Sequence, residues 1–144
     1  MQGYRISTNP DDLDFEAIYS FISQSYWAVG IPRATLFKAI ANSLCFGVYK
    51  ETGEQVGFAR VITDKATFAY LGDVFIVESS RGLGLGKWLV EAIVSHPELQ
   101  GLRRMVLATR DAHGLYARYG FTAIEHPEML MQIWHPDIYE TRKA

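Results

Sequence analysis

The chain has 144 residues, of which 49% are hydrophobic and 21% charged, a composition that suits one soluble globular domain with its own core. A formal net charge of -2 provides no basic surface for nucleic acid or an anionic membrane, and a single cysteine excludes internal disulfides and thiolate zinc clusters. Without a signal peptide or a membrane-spanning run, the sequence predicts a cytoplasmic single domain over residues 1–144, with a core over about residues 4–137.

The first half of the chain predicts one strand, two helices and then three strands. Tyr4–Ser7 is the first strand, and apolar residues at helical spacing follow from Leu13 to Ile22. Pro32 is suited to the start of a second helix because its fixed φ matches the first helical turn. Three strands are then predicted, over Leu44–Lys50, Gln55–Thr63 and residues 68–77.

The second half predicts a glycine-rich turn, a helix to about Ser95, a strand over 104–108 and a short helix over 112–119. Gly120 has the position of a helix-ending glycine. Residues 122–124 and 130–134 predict two closing strands. This order predicts an α/β (α+β) fold with a mixed, mostly antiparallel sheet of six to seven strands and about four flanking helices.

The segment after the third of these strands runs from a buried strand into a glycine-rich turn and a helix, whose free N–H groups favour phosphate. It is not a nucleoside-triphosphate loop, because Trp88 follows Lys87 and Arg81 replaces the first glycine. It is not a dinucleotide fingerprint either, because Lys87 stands at the third glycine. The pattern Arg/Gln-x-x-Gly-x-Gly/Ala is met by Arg81, Gly84 and Gly86.

With this loop the sequence resembles the GNAT superfamily of acyl-CoA-dependent N-acetyltransferases. A second segment, residues 112–121, is similar to the family's alanine followed by Leu-Tyr-x-x-x-Gly-Phe, and the order of elements agrees across nearly the whole chain. The resemblance implies a splayed central strand pair that binds acetyl-CoA, one strand lining the pantetheine arm and the loop holding the pyrophosphate. The strand residues are Val74, Phe75 and Ile76, and the loop residues are Arg81, Gly82, Leu83, Gly84, Leu85, Gly86 and Lys87.

Acetyl transfer from a thioester needs a deprotonated amine and a thiolate that is protonated or stabilised as it leaves. Tyr116 matches the family's tyrosine near the coenzyme sulfur, which implies a general acid. Tyr70 stands where some relatives carry a glutamate base. Asp73 resembles the acidic residues that face the amine in polyamine-type relatives. The alternative role for Asp73 is that of a polar residue that caps a bulge. Tyr26, Trp27 and Tyr70 are candidates for the wall of the acceptor site.

These features predict an N-acetyltransferase that moves the acetyl group of acetyl-CoA to a primary amine by direct attack in a ternary complex. The alternative is a non-catalytic acyl-CoA-binding sensor or interaction module. The acceptor is expected to be a small-molecule amine or a protein amino group, with no metal, nucleic acid or membrane, and the resemblance suggests a homodimer. Arg60, the one charge inside an apolar strand, is interpreted as facing outer solvent in preference to an acceptor carboxylate.

Overall fold

The computed structural model describes residues 1–141 and contains one five-stranded sheet in the order β1-β2-β3-β4-β5. Neighbouring strands are antiparallel except β4 and β5, which are parallel. The central strands β2 and β3 are buried along most of their length, because helices cover both faces of the sheet. The strands are β1 (Tyr4–Ser7), β2 (Leu44–Lys50), β3 (Gln55–Thr63), β4 (Phe68–Ile76) and β5 (Arg104–Leu107).

Within the described part of the chain five α-helices accompany the sheet, and local chemistry explains where the first two begin. The Asp14 carboxylate accepts the N–H of Ala17 and caps the first helix, and Pro32 precedes the second with an extended backbone. No helix within residues 1–141 has the length and apolar character needed to cross a bilayer. The helices are α1 (Phe15–Ile22), α2 (Arg33–Ala41), α3 (Leu85–Val94), α4 (His113–Ala117) and α5 (Ile138–Thr141).

The two faces of the sheet carry separate cores. On one face Ile18, Ile22 and Leu36 from α1 and α2 pack with Phe58 of β3. On the other face α3 and α4 pack against Ala59 and Val61 of β3. Because successive side chains of a strand point to opposite faces, the same strands build both cores.

A β-bulge in the middle of β4 separates it from β5. Asp73 and Val74 both lie opposite Ala59 of β3, and Asp73 adopts a left-handed φ of 53°. The pairing of β4 with β5 ends at Leu71 opposite Leu107, although β4 itself continues beyond this point. The strands are therefore splayed along the second half of β4.

The predicted strands of the first half are confirmed, but the closing strands are wrong. Residues 122–124 and 130–134 pair with no strand within residues 1–141, so the sheet has five strands and not six to seven. Residues 1–141 form five helices instead of about four, and α4 is shorter than the predicted 112–119. Apolar residues in an extended run show strand propensity, but pairing depends on a partner edge that the local sequence does not specify.

Candidate active site

The glycine loop leaves three main-chain N–H groups unpaired at the start of α3. The first helical hydrogen bond of α3 runs from the N–H of Trp88 to the carbonyl of Gly84 at 3.1 Å. The N–H groups of Leu85, Gly86 and Lys87 therefore have no helical acceptor, and no side chain caps this end. Three aligned donors and the positive end of the helix dipole form a surface that suits a phosphate group.

The loop is shaped by two left-handed glycines, since Gly82 and Gly84 each have a φ of 83°. At Gly86 an added Cβ would meet no atom within 4 Å, so the space above this part of the loop is open. Arg81 donates its Nε–H to the carbonyl of Ile76 at 2.9 Å, which ties the loop to the end of β4. Lys87 is exposed and has no carboxylate within salt-bridge distance in residues 1–141, so its charge is available to an anion. Leu83 of the same loop is also exposed.

The second half of β4 presents its backbone, and not its side chains, to the gap beside β5. Phe75 and Ile76 are buried, and the Phe75 ring stacks on Phe21 of α1 with centroids 4.0 Å apart. Val74 is half-buried and packs against the core on the α3 face. Since β5 no longer pairs with β4 beyond Leu71, the main-chain groups on this side of β4 are accessible to an extended ligand.

Asp73 is held by two partners on the sheet face covered by α1 and α2. Its Oδ1 accepts the indole N–H of Trp27 at 2.7 Å, and its Oδ2 accepts the Nε–H of Arg60 at 2.8 Å. Arg60 also donates from Nη1 to the hydroxyl of Ser43 at 3.2 Å. The Asp73 side chain is 9% exposed, so this pair is largely shielded from water. The interpretation of Arg60 as a solvent-facing charge is therefore wrong.

Tyr116 lies in the core on the opposite face, beside α3. Burial raises the pKa of its phenol, and the nearby Tyr26 raises it further, so the hydroxyl remains protonated at neutral pH. No hydrogen-bond partner for this hydroxyl exists in the part of the chain that the structure describes. The ring meets Phe121 edge to face at 5.8 Å between centroids. Tyr116 is thus a protonated phenol with a free donor.

The break after α1 forms an aromatic wall near this tyrosine. The Tyr26 ring meets Trp27 edge to face at 5.1 Å, and the Arg110 guanidinium lies 3.7 Å from the Tyr26 centroid. A cavity of about 270 Å³ lies between this break and residues 134–139.

The structure brings together most, but not all, of the residues predicted for the acceptor side. Tyr26, Trp27 and Asp73 are neighbours, whereas half-buried Tyr70 does not line the cavity. Arg110 was missed, and its only sequence signal is its place just beyond β5. Among residues 1–141, no group of three or more His, Cys, Asp or Glu side chains is arranged to hold a metal ion.

Comparisons with known proteins agree with this arrangement. The profile of the Acetyltransferase (GNAT) family matches residues 14–121. A Gibberella zeae protein named as a putative acetyltransferase is 35% identical, over 80% of this chain and 76% of its own length. The crystal structure of a putative GNAT-family acetyltransferase from Xanthomonas campestris is 52% identical with a TM-score of 0.93, and the match covers 96% of this chain and 98% of that one. Glucosamine-6-phosphate N-acetyltransferase from Arabidopsis thaliana, 17% identical over 92% of this chain and 97% of its own, shares the fold with a TM-score of 0.64.

Proposed function

Because the chain belongs to the GNAT family of acetyltransferases, we propose that it transfers the acetyl group of acetyl-CoA to a primary amine by direct attack in a ternary complex. The observation that carries the proposal is the gap beside β4. β4 leaves β5 beyond Leu71, and α3 begins with three unpaired N–H groups just after β4 ends. The gap fits the extended pantetheine arm of the coenzyme, and the start of α3 fits its pyrophosphate.

The coenzyme side of the site is built from main-chain groups. The backbone of Val74, Phe75 and Ile76 binds the pantetheine arm in the manner of an added strand, because their side chains are occupied in the cores. The loop residues donate N–H groups to the pyrophosphate, and Lys87 adds a positive charge. Arg81 acts mainly by fixing the loop on β4. The bound coenzyme supplies an activated thioester, whose thiol is a fair leaving group.

Tyr116 is the general acid for the departing thiolate. Its phenol is protonated at neutral pH because burial raises its pKa, and its hydroxyl has no competing partner within residues 1–141. Tyr26, which raises the pKa of this phenol, also forms the aromatic wall with Trp27, and it therefore connects Tyr116 with the acceptor side.

The acceptor amine binds on the face covered by α1 and α2, against Tyr26, Trp27 and Asp73, with Tyr70 farther along β4. Both carboxylate oxygens of Asp73 already accept hydrogen bonds, from Trp27 and Arg60, so Asp73 attracts the ammonium group of the acceptor and does not take its proton directly. The proton therefore leaves through water. The acceptor is a small-molecule amine or a protein amino group, and the enzyme acts in the cytoplasm as a homodimer.

The test is acetyl-CoA turnover with a panel of polyamines, amino acids, aminoglycosides and peptide amino termini, followed by detection of the free thiol. With the best acceptor, Tyr116→Phe is expected to lower kcat about ten- to a hundredfold with acetyl-CoA affinity near normal, because only the proton donor is removed. Tyr119→Phe is the matched control, since Tyr119 is a half-buried tyrosine of the same segment that packs against the core.

Three results would contradict the proposal in different ways. Acetyl-CoA binding without turnover on any amine would indicate a sensor. Absence of acetyl-CoA binding by a folded protein would exclude the coenzyme site. Full activity of Tyr116→Phe, measured where the chemical step limits the rate, would assign the proton donation to water.

A further inference from the structure

Each of the two strands that border the coenzyme gap is followed closely by a charged side chain. β4 and β5 are parallel and stay paired as far as Leu71 opposite Leu107. Asp73 comes two residues after this point along β4, and Arg110 comes three residues after it, beyond the end of β5. Because parallel strands run in the same direction, the carboxylate and the guanidinium both lie toward the end of the sheet where α/β proteins bind ligands.

The aromatic wall of Tyr26 and Trp27 connects these two charges. The indole N–H of Trp27 donates to Oδ1 of Asp73 at 2.7 Å, and the guanidinium of Arg110 lies 3.7 Å from the centroid of the Tyr26 ring. The two rings meet edge to face with their centroids 5.1 Å apart, and both are exposed, Tyr26 to 56% and Trp27 to 42%. A series of contacts therefore runs from the carboxylate across an accessible apolar surface to the guanidinium.

The charges of Asp73 and Arg110 differ in how they are compensated. Asp73 forms an ion pair with Arg60 at 2.8 Å, and its side chain is 9% exposed. Arg110 is exposed and forms no salt bridge within residues 1–141. Of these three charged groups, only the positive one of Arg110 is left uncompensated. It repels an acceptor that carries positive charges alone, such as a polyamine, and it attracts an anionic group.

The contact with Tyr26 prepares the Arg110 side chain for a carboxylate. A guanidinium over an aromatic ring is held by cation–π attraction, while the N–H donors at its edge stay free to bind a planar anion through two parallel hydrogen bonds. No second cationic side chain lies over either ring of the wall in the part of the chain that the structure describes. A carboxylate balances this single charge, whereas a phosphate monoester, with a charge of about -1.5 to -2, exceeds it.

We propose that the acceptor is a free amino acid, whose amine binds at Asp73 and whose carboxylate binds to Arg110. The oxygens of Asp73 can accept further hydrogen bonds beside those from Trp27 and Arg60, because each has more than one lone pair. The carbon chain of the amino acid packs on the aromatic wall. The inference rests on the proposed acetyl transfer and narrows its acceptor from amines in general to amines that carry a carboxylate.

The chemical step with this acceptor is a simple exchange of bonds. The amine nitrogen forms a bond to the acetyl carbon and the C–S bond breaks, which gives an N-acetyl amino acid and free coenzyme A. The ammonium group loses one proton before the attack and another after it. One proton reaches the thiolate through Tyr116, and water takes the other. The carboxylate keeps its charge throughout, so Arg110 binds substrate and product alike.

Turnover of acetyl-CoA with matched acceptors tests the role of the carboxylate. Each set contains a common amino acid, its amide and the amine that lacks the carboxyl group, and phosphoethanolamine and a polyamine are measured beside them. We expect kcat/KM for an amino acid to exceed that for its amide by about 10- to 100-fold, the usual effect of hydrogen bonds between charged groups. The amide has the less basic amine, so easier deprotonation cannot be the cause of such a preference.

Arg110→Gln tests the residue that binds the carboxylate. It should raise the KM for the amino acid about 10- to 100-fold, and it should leave the KM for the amide and the affinity for acetyl-CoA nearly unchanged. Arg110→Lys, which keeps the charge and loses the planar fork, should lie between the two. Arg103→Gln is the matched control, because Arg103 is also exposed and forms no salt bridge within residues 1–141, and it precedes β5.

The outcomes separate the identity of the acceptor from the reaction. Equal kcat/KM for amino acids and their amides, a preference for the polyamine or phosphoethanolamine, or an unchanged KM in Arg110→Gln would overturn the proposal and leave acetyl transfer intact. If no amine is turned over, acetyl transfer is wrong, and calorimetric titration with N-acetyl amino acids decides about the carboxylate site. Binding that Arg110→Gln weakens about tenfold or more supports the site, whereas no binding, or equal binding by both proteins, overturns it.

Discussion

Substitution of Gly86 by valine is expected to remove most acetyl-CoA affinity without harming the fold. Gly86 is the second residue of α3, its φ lies outside the left-handed region, and an added Cβ would meet no atom within 4 Å. The free protein therefore has room for the side chain. In the proposed complex the same space lies beside the N–H groups that bind the pyrophosphate, so the branched side chain would displace the ligand.

Typical energies of hydrogen bonds and of helix propensity set the expected magnitudes. A hydrogen bond to a charged group contributes about 1.5–3 kcal/mol, so the loss of one raises the dissociation constant about 10- to 150-fold. Stability should change little, because removal of a helical glycine is favourable by about 0.5–1 kcal/mol and the lower helix propensity of valine offsets part of this. Gly84→Ala is the contrast: its φ of 83° makes a side chain cost roughly 1–2 kcal/mol, and the Tm should fall by about 3–8 °C.

Calorimetric titration with acetyl-CoA and thermal melting by circular dichroism measure the two effects separately. Gly86→Ala, which adds a smaller side chain in the same place, should lie between the unmodified protein and Gly86→Val in affinity. If Gly86→Val keeps both its Tm and the acetyl-CoA affinity of the unmodified protein, the pyrophosphate does not bind over the start of α3 and the reasoning is refuted.

Two further substitutions test the acceptor side and the stability of the sheet. Asp73→Asn should raise the acceptor KM and leave acetyl-CoA affinity nearly unchanged. Because Arg60 also loses its ion pair, the Tm should fall by an amount equivalent to about 1–3 kcal/mol. An unchanged KM would exclude ammonium binding by Asp73. Asp64 accepts hydrogen bonds from the Thr67 hydroxyl and from the main-chain N–H groups of Thr67, Ala66 and Phe68, which hold its pKa below the usual 3.8. A carboxylate whose pKa is lower in the folded than in the unfolded state stabilises the fold at pH values above its unfolded-state pKa. This stabilisation is lost as the pH falls from the unfolded-state pKa through the folded-state pKa. Asp64→Ala should therefore lower the Tm at pH 7 and have a smaller effect near pH 3, whereas an equal loss at both values would contradict the assignment.

Local signals in the sequence account for the elements and the ligand loop that were predicted. Alternation and turn residues located β2 and β3 within Leu44–Lys50 and Gln55–Thr63, since the residues of a hairpin are neighbours along the chain. Gly120 after α4 has a positive φ, as expected where a helix ends at glycine, and Gly84 has a positive φ that the turn before α3 requires. Tyr116 was predicted by resemblance of its segment, and its role as the acid remains a prediction.

The tertiary structure alone decided what meets across the sheet. Asp73 pairs with Arg60, 13 residues away, and with Trp27, 46 residues away, so no local pattern could show that its carboxylate is already occupied. Residues 130–134 have the composition of a strand, yet they pair with no strand formed by residues 1–141. Periodicity and turn chemistry are set by neighbouring residues and are therefore readable from the sequence. Ion pairs and strand pairing depend on which distant segments the folded chain brings into contact, and that is determined only when the cores on both faces of the sheet are packed.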